Sequence, residues 1–350
     1  MYGFDKSMYF VIITPFYVLY MEIQEGELKK VLEVWIDSRD TRAVDDQQCD
    51  LTEEFLAPNI NAIITELTQL RKAFDVRIKA VLKRMLSDLP PQYGKDPSLR
   101  NPGNYPVGFC DTISDGVWVE ILKNMRFPET PGMRALSYFS GRGGHLKQIA
   151  GIQHGKHFQN ALQAGSLFVD VANNTVDKLK PPVEICDLTQ SGFNNMDDFA
   201  AQADVIEQYW GDRIFAQRVF PFLTPFYPIV HISKSGRVEL LPITQGVIAK
   251  NIFSDFKMAE DFISRSRFAG EELPARLQAK MEKDFSWDED NYDFDSGTPR
   301  GDIFYRGGAP DDLIKEVFER LRNVDQKDLP KLIGGSRWQV RDFNHLGIKL

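Results

Sequence analysis

Two stretches decide how this chain is read: Asn104-Tyr-Pro-Val-Gly-Phe-Cys110 and His157-Phe-Gln-Asn-Ala-Leu-Gln-Ala-Gly-Ser-Leu-Phe-Val-Asp170. After the first, Ile113, Val117, Ile121, Leu122 and Met125 recur at helical spacing, so a helix is predicted over about 111–125. Cys110 stands where that helix begins. Unpaired N–H groups and the helix dipole favour a thiolate there, whereas the adjacent Asp111 carboxylate opposes one. The second stretch reads as a β-hairpin. With Ala164-Gly165 as a two-residue turn, Gln159 faces Asp170 and His157 faces Ala172. His157 and Asp170 then share a face as diagonal neighbours, because side chains alternate along each strand. Phe158, Leu162, Leu167, Val169 and Val171 make the opposite, apolar face, interrupted by Asn160. A carboxylate on His Nδ1 fixes the tautomer and leaves Nε2 to take a proton from a thiol. Cys110, His157 and Asp170 are therefore the candidate catalytic residues.

Outward from these stretches, the 350 residues suit one elaborated domain or two unequal ones. A hydrophobic fraction of 43% supports a sizeable core. Net charge −8 argues against a nucleic-acid binder driven by phosphate neutralisation. The three cysteines, Cys49, Cys110 and Cys186, are too few and too scattered for a disulfide framework or a thiolate zinc cage. Tyr9 to Met21 is apolar but too short for an ordinary membrane span, and it reads as buried strand. With no signal peptide recognised, a cytoplasmic location is expected, and secretion as an effector stays open.

Ile63, Leu67, Leu70, Phe74, Ile78, Val81 and Met85 form one stripe of a long helix from about 59 to 86, stopped by Pro90-Pro91. Residues 38–52 and 126–145 read as loops. Residues 90–108 are turn-rich, with Tyr93 and Tyr105 embedded. Gly141-Arg-Gly-Gly144 reads as a lid in which Arg142 is available for an acidic group; Arg142 and Tyr105 are the candidate substrate-binding residues. A second block begins near Phe193. It has a helix after Asn195, a hairpin over 226–232 and 237–243, and helices near 255–266, 274–283 and 311–322. The acidic run Asp284 to Asp295 reads as a solvated loop. Three segments are expected: an N-terminal extension over 1–90, a catalytic core over 91–190 and an α+β extension over 191–350.

The order of a helix-starting cysteine, a strand histidine and an aspartate on the next strand resembles the papain-like cysteine enzymes. The transglutaminase-like and arylamine N-acetyltransferase branches are the most similar. The matching pieces are Gly108-Phe-Cys110, His157-Phe and Phe168-Val-Asp170-Val, within about residues 104–175. The resemblance implies an α+β fold with a papain/transglutaminase-like core, a helix carrying the cysteine packed on an antiparallel sheet. It implies Cys110 as nucleophile, His157 as general base and acid, Asp170 as orienter and Asn104 as an oxyanion donor. The implied chemistry is acyl transfer through a thioester, as a hydrolase (thiol peptidase or amidase) or a transglutaminase-type transferase. The substrate would be a protein, a peptide or a small acyl donor, with no cofactor. The chain departs from the family at Asp111, where an aromatic residue is usual, and at Phe158-Gln-Asn160. Two alternatives stand beside this reading. One is a metal-dependent enzyme using His145, His154, His157 and Asp170. The other is a non-catalytic protein that binds a partner through its N- or C-terminal extension.

Overall fold

The computed structural model describes residues 28–88, 102–234, 236–240, 244–284, 310–324 and 329. The apolar run Tyr9–Met21 and the acidic run 284–295 fall outside these residues, apart from Asp284. The fold is α+β, with helices and two antiparallel sheets. The chain divides into two compact units, residues 1–22 with 37–195 and residues 23–36 with 196–350. No helix among the described residues is long and apolar enough to cross a membrane.

The first described helix, α1 (Leu28–Arg39), buries Leu28, Leu32 and Trp35. In the first unit, α2 (Asp46–Leu51) is capped by Asp45, whose side chain accepts the Gln48 N–H. This helix carries Cys49 and lies within 38–52, a stretch expected to be loop. The long helix α3 (Ile60–Asp88) matches the apolar stripe read from the sequence. Next come α4 (Cys110–Arg126) and α5 (Pro131–Gly141), then β1 (Leu146–Gln153), β2 (His157–Ala164), β3 (Leu167–Asp170), β4 (Glu184–Asp187) and β5 (Phe193–Asn195). The strands form one sheet in the order β4-β3-β2-β1-β5.

α5 replaces much of the loop expected over 126–145. Its signal is Pro131 at the first helical position. Its cap comes from elsewhere: Glu66 on α3 accepts the Gly132 and Met133 N–H groups at 3.0 and 2.9 Å. A carboxylate there meets the positive end of the helix dipole, and no local sequence reading could supply it.

The three long helices pack on one face of the sheet. Ile63, Leu67 and Phe74 of α3, Ile113, Val117 and Ile121 of α4, and Leu136 and Phe139 of α5 share one core with Leu162, Val169 and Val171. α3 is thus half of the core rather than an extension beside it. It crosses α4 closely at Gly116, where a Cβ would fall 2.0 Å from the Phe74 ring. The other sheet face has a smaller cluster of Ile149, Ala161, Phe168 and Phe193. Part of that face lies under residues 37–45: Gln163 accepts the Arg42 N–H and donates to the Arg42 carbonyl, and Lys147 donates to Asp37 and Asp40.

In the second unit, α6 (Phe199–Val205) runs into a π-helical turn, Ile206–Trp210. A three-stranded sheet follows, β6 (Arg213–Ala216), β7 (Ile229–Ile232) and β8 (Val238–Leu240), in that order. Helices α7 (Gln245–Phe253), α8 (Lys257–Arg265), α9 (Ala275–Asp284) and α10 (Asp311–Arg322) complete the described part. Phe199, Phe262 and Phe268 pack in series as tilted rings, 6.3 and 5.8 Å between centroids. β6 and α7 are additions to the elements read from the sequence.

Arg71 of α3 is fully buried at 0% exposure. It donates to Asp75 at 2.7 Å, to the Val171 carbonyl at 2.6 Å and to Asn174 Oδ1 at 3.1 Å. Removing one partner of such a buried ion pair costs about 3–5 kcal/mol. Arg71→Met is therefore expected to destabilise the chain by that order, read as a lower urea midpoint for residues 37–195. An unchanged midpoint would refute the role.

Candidate functional site

The loop before α4 is built from short-range turns. Val107 N–H donates to the Asn104 carbonyl at 3.0 Å, Phe109 N–H to the Pro106 carbonyl at 3.1 Å, and Gly108 N–H to the Thr175 carbonyl at 3.2 Å. Gly108 has φ +79°, which favours glycine, and a Cβ there would meet nothing within 4 Å. Tyr105 is half-buried, its ring 5.4 Å from Phe109, and its hydroxyl donates to Asp75. Burial first, and then the Asp75 hydrogen bond, push its pKa above the ordinary tyrosine value. Tyr105 is thus part of the packing beneath the loop.

Cys110 is the first residue of the 17-residue α4, as the sequence indicates, and is half-buried. Asp111 Oδ1 accepts the Thr112 N–H at 2.5 Å, so its carboxylate is turned toward the helix's own N-terminal donors. The side chain that meets the thiol from the sheet is Asn160, whose Nδ2 lies 3.6 Å from Cys110 Sγ. One turn further along α4, Ser114 is fully buried, and its hydroxyl has no hydrogen-bond partner among the described residues. Helical side chains lean toward the N-terminus, so Ser114 lies beneath the thiol on the same face.

His157 and Asp170 are elsewhere, and the hairpin register is the reason. Leu162 pairs with Val169, Gln163 with Phe168 and Ala164 with Leu167, so the turn is Gly165-Ser166 rather than Ala164-Gly165. The strands are displaced by two residues from the expected pairing. An even shift preserves the faces, so His157 and Asp170 remain on one side of the sheet. It does move the residue opposite Asp170 from Gln159 to Ala161. His157 is then four residues along the strand, about 13 Å at the usual rise per residue, instead of diagonally adjacent. Gln159 takes the diagonal place: its Nε2 donates to Asp170 Oδ2, while the Ala172 N–H donates to Oδ1 at 2.7 Å.

The strand alternation also separates this pair from the thiol. Asn160 projects to the helix-covered face and His157, Gln159 and Ala161 to the other, so the sheet stands between Cys110 and the His157–Asp170 face. The three expected triad members do not meet, which corrects the expected hairpin geometry. His157 Nε2 lies 3.3 Å from Gln153 Oε1. Burial, and then the positive field of His154, Lys180 and Lys156, hold its pKa below the ordinary histidine value.

The remaining expected site residues are placed as follows. Asn104 is exposed in the short 3-10 segment Pro102–Asn104. Arg142 is exposed at the end of α5, and its N–H closes the last turn on the carbonyls of Tyr138, Phe139 and Ser140. The segment 141–145 is pinned by Gln48, whose Nε2 donates to the Gly143 carbonyl and whose Oε1 accepts the His145 N–H. It is therefore a fastened connection rather than a free lid. His145 precedes β1 while His154 follows it, so the two lie at opposite ends of an eight-residue strand. No group of three or more His, Cys, Asp or Glu side chains able to hold a metal occurs among the described residues. The proposed set of His145, His154, His157 and Asp170 is not brought together.

Sequence reasoning missed Asn160 as the thiol's neighbour. Its signal was present: it is the one polar residue in the otherwise apolar face of the hairpin. No protein-family model, curated protein or solved structure matches this chain.

Asp170 has 0% exposure, and burial raises its pKa to about 7 despite the opposing hydrogen bonds from Ala172 and Gln159. A carboxyl group whose folded pKa exceeds its unfolded value, near 3.9, binds its proton more tightly when folded. Its stabilising contribution is complete below about pH 4 and is lost as pH rises through about 7. Asp170→Asn is expected to flatten that part of the pH–stability curve, measured by urea unfolding between pH 4 and 8. A variant with the wild-type slope would refute the assignment.

Proposed function

We propose that residues 37–195 form a partner-binding module. It has a papain/transglutaminase-like layout, a cysteine-bearing helix on an antiparallel sheet, with an amide from the sheet beside the thiol. The observation that carries this reading is the Asn160 amide 3.6 Å from Cys110 Sγ, with His157 and Asp170 on the far face of the sheet. An amide can donate to sulfur but cannot take its proton near neutral pH, so the thiol has no base in Asn160. The same helix offers an outward surface. Val119 and Leu122 are three residues apart and both exposed, and Phe127 just beyond is 73% exposed. Aromatic and aliphatic side chains of this kind suit a protein or peptide partner.

A second reading has its own support. Cys110 opens a 17-residue helix, whose N-terminus favours a thiolate, and Asn160 supplies an N–H donor beside the sulfur. In that reading Cys110 is the nucleophile of acyl transfer. The thiolate attacks an amide or thioester carbonyl, the oxyanion is held by N–H donors, and water or an amine resolves the thioester. His157 would not be its base.

The pH profile of thiol alkylation separates the two. For a binding module, Cys110 should react no faster at neutral pH than the exposed Cys49 thiol, and His157→Ala should leave its profile unchanged. Asn160→His should then shift reaction toward neutral pH, because it puts a base where the amide now stands. Rapid alkylation of native Cys110 at pH 6 would overturn the binding reading. Loss of that reactivity on His157→Ala would further place the imidazole at the sulfur.

A further inference from the structure

The second unit contains a pocket of its own. The bend at Gly211–Arg213 and the connection after β7 border an open pocket of about 350 Å³, lined by Gly211, Arg213, Ile232, Ser233, Lys234 and Gly236. That is at the low end of the range of about 300–1,000 Å³ for small-molecule sites. Gly211 ends the π-helical turn in the left-handed region, φ +66°. A Cβ on it would fall 2.7 Å from both Cε and Nζ of Lys234. The lysine side chain therefore lies across the bend beside Gly211, with its ammonium at the cavity.

The nearby carboxylates are already engaged. His231 Nε2 lies 2.7 Å from Asp212 Oδ2, and its Nδ1 lies 3.6 Å from Glu239 Oε2. Burial alone would lower the His231 pKa, but its bonds to Glu239 and Asp212 outweigh that and hold it above the ordinary histidine value. Asp212 Oδ1 also accepts the Lys234 N–H at 3.1 Å, and Arg237 pairs with Glu239 at 2.8 Å. Both ring nitrogens of His231 face carboxylates, so it works as a clamp tying β7 to the bend and to β8. Neither Arg213 nor Lys234 has an ion-pair partner among the described residues. Two uncompensated cations thus share one small cavity in a chain of net charge −8.

We propose that this cavity binds a phosphoryl group, clamped between the Arg213 guanidinium and the Lys234 ammonium. A guanidinium presents a planar fork to two phosphate oxygens and an ammonium a compact point charge, and a dianion matches their summed charge. The half-exposed Trp210, its ring 6.0 Å from that of His231, flanks the bend. It offers an aromatic surface to a phosphomonoester that inorganic phosphate would not use.

The test is calorimetric titration of the full chain with inorganic phosphate and with phenyl phosphate, at ionic strength held constant with chloride. Binding of either ligand is expected, and tighter binding of phenyl phosphate identifies an organic phosphomonoester as the source. Arg213→Ala and Lys234→Ala should each lower affinity by about tenfold or more, whereas Lys234→Arg should retain most of it. Both sites are exposed, and an unchanged far-UV circular dichroism spectrum verifies that each variant folds. Absence of binding, equal response to chloride, or wild-type affinity in the double alanine variant would overturn the proposal. None of these outcomes depends on the chemistry of Cys110.

Discussion

The buried guanidinium of Arg71 holds together the parts of the first unit on which the candidate site depends. From one position on α3 it reaches Asp75 a turn away, the carbonyl just beyond β3 and the side chain of Asn174. Asp75 also receives the hydroxyl of Tyr105 from the loop that leads into Cys110. One fully desolvated charge therefore ties the long helix to the segment after Asp170 and, through Asp75, to the approach to α4. A charge so deeply placed is tolerated only because its hydrogen bonds are satisfied in three directions. The loop before Cys110 and the segment after β3 are held through the same guanidinium.

On that scaffold, the sheet acts as a partition. Its helix-covered face holds the apolar core, the Cys110 thiol and the Asn160 amide. Its other face holds a row of polar side chains, His157, Gln159 and Gln163 on β2 with Asp170 on β3. Two of these side chains bond within reach of the row, the Gln159 amide N–H on Asp170 and Gln163 on the backbone of Arg42. The thiol lies on one side of the sheet, and His157 and Asp170, themselves apart along the strands, lie on the other. The binding reading follows from that separation, with the thiol's own helix presenting an exposed apolar surface.

The two units differ in where their charge resides. In the first, the buried ionisable groups are consumed by structure: Arg71 in its clamp, Asp170 on its two donors. In the second, His231 and Arg237 together engage Asp212 and Glu239, and Arg213 and Lys234 stand at a cavity without an ion-pair partner among the described residues. The inferred anion site therefore belongs to the second unit.

The long helix, the helix opening at Cys110, the strand character of both arms of the hairpin, and the helices near the C-terminal end were legible in the sequence. Each rests on apolar periodicity or a local stop signal, which a short window contains. The parity of the hairpin was also legible, because alternation alone fixes which residues share a face. Its register was not: whether the turn is Ala164-Gly165 or Gly165-Ser166 depends on pairing along several strands. Two residues of displacement put Gln159 where His157 was expected. The α5 helix was hidden because its cap is Glu66, distant in sequence, and Asn160 was visible only as a polar break in an apolar face. The sequence by itself thus determined the α+β class, the elements and the face each side chain takes, since these follow from local periods of 3.6 and 2. Only the tertiary structure decided which side chains meet, because register and helix placement are set by contacts between segments far apart in the chain.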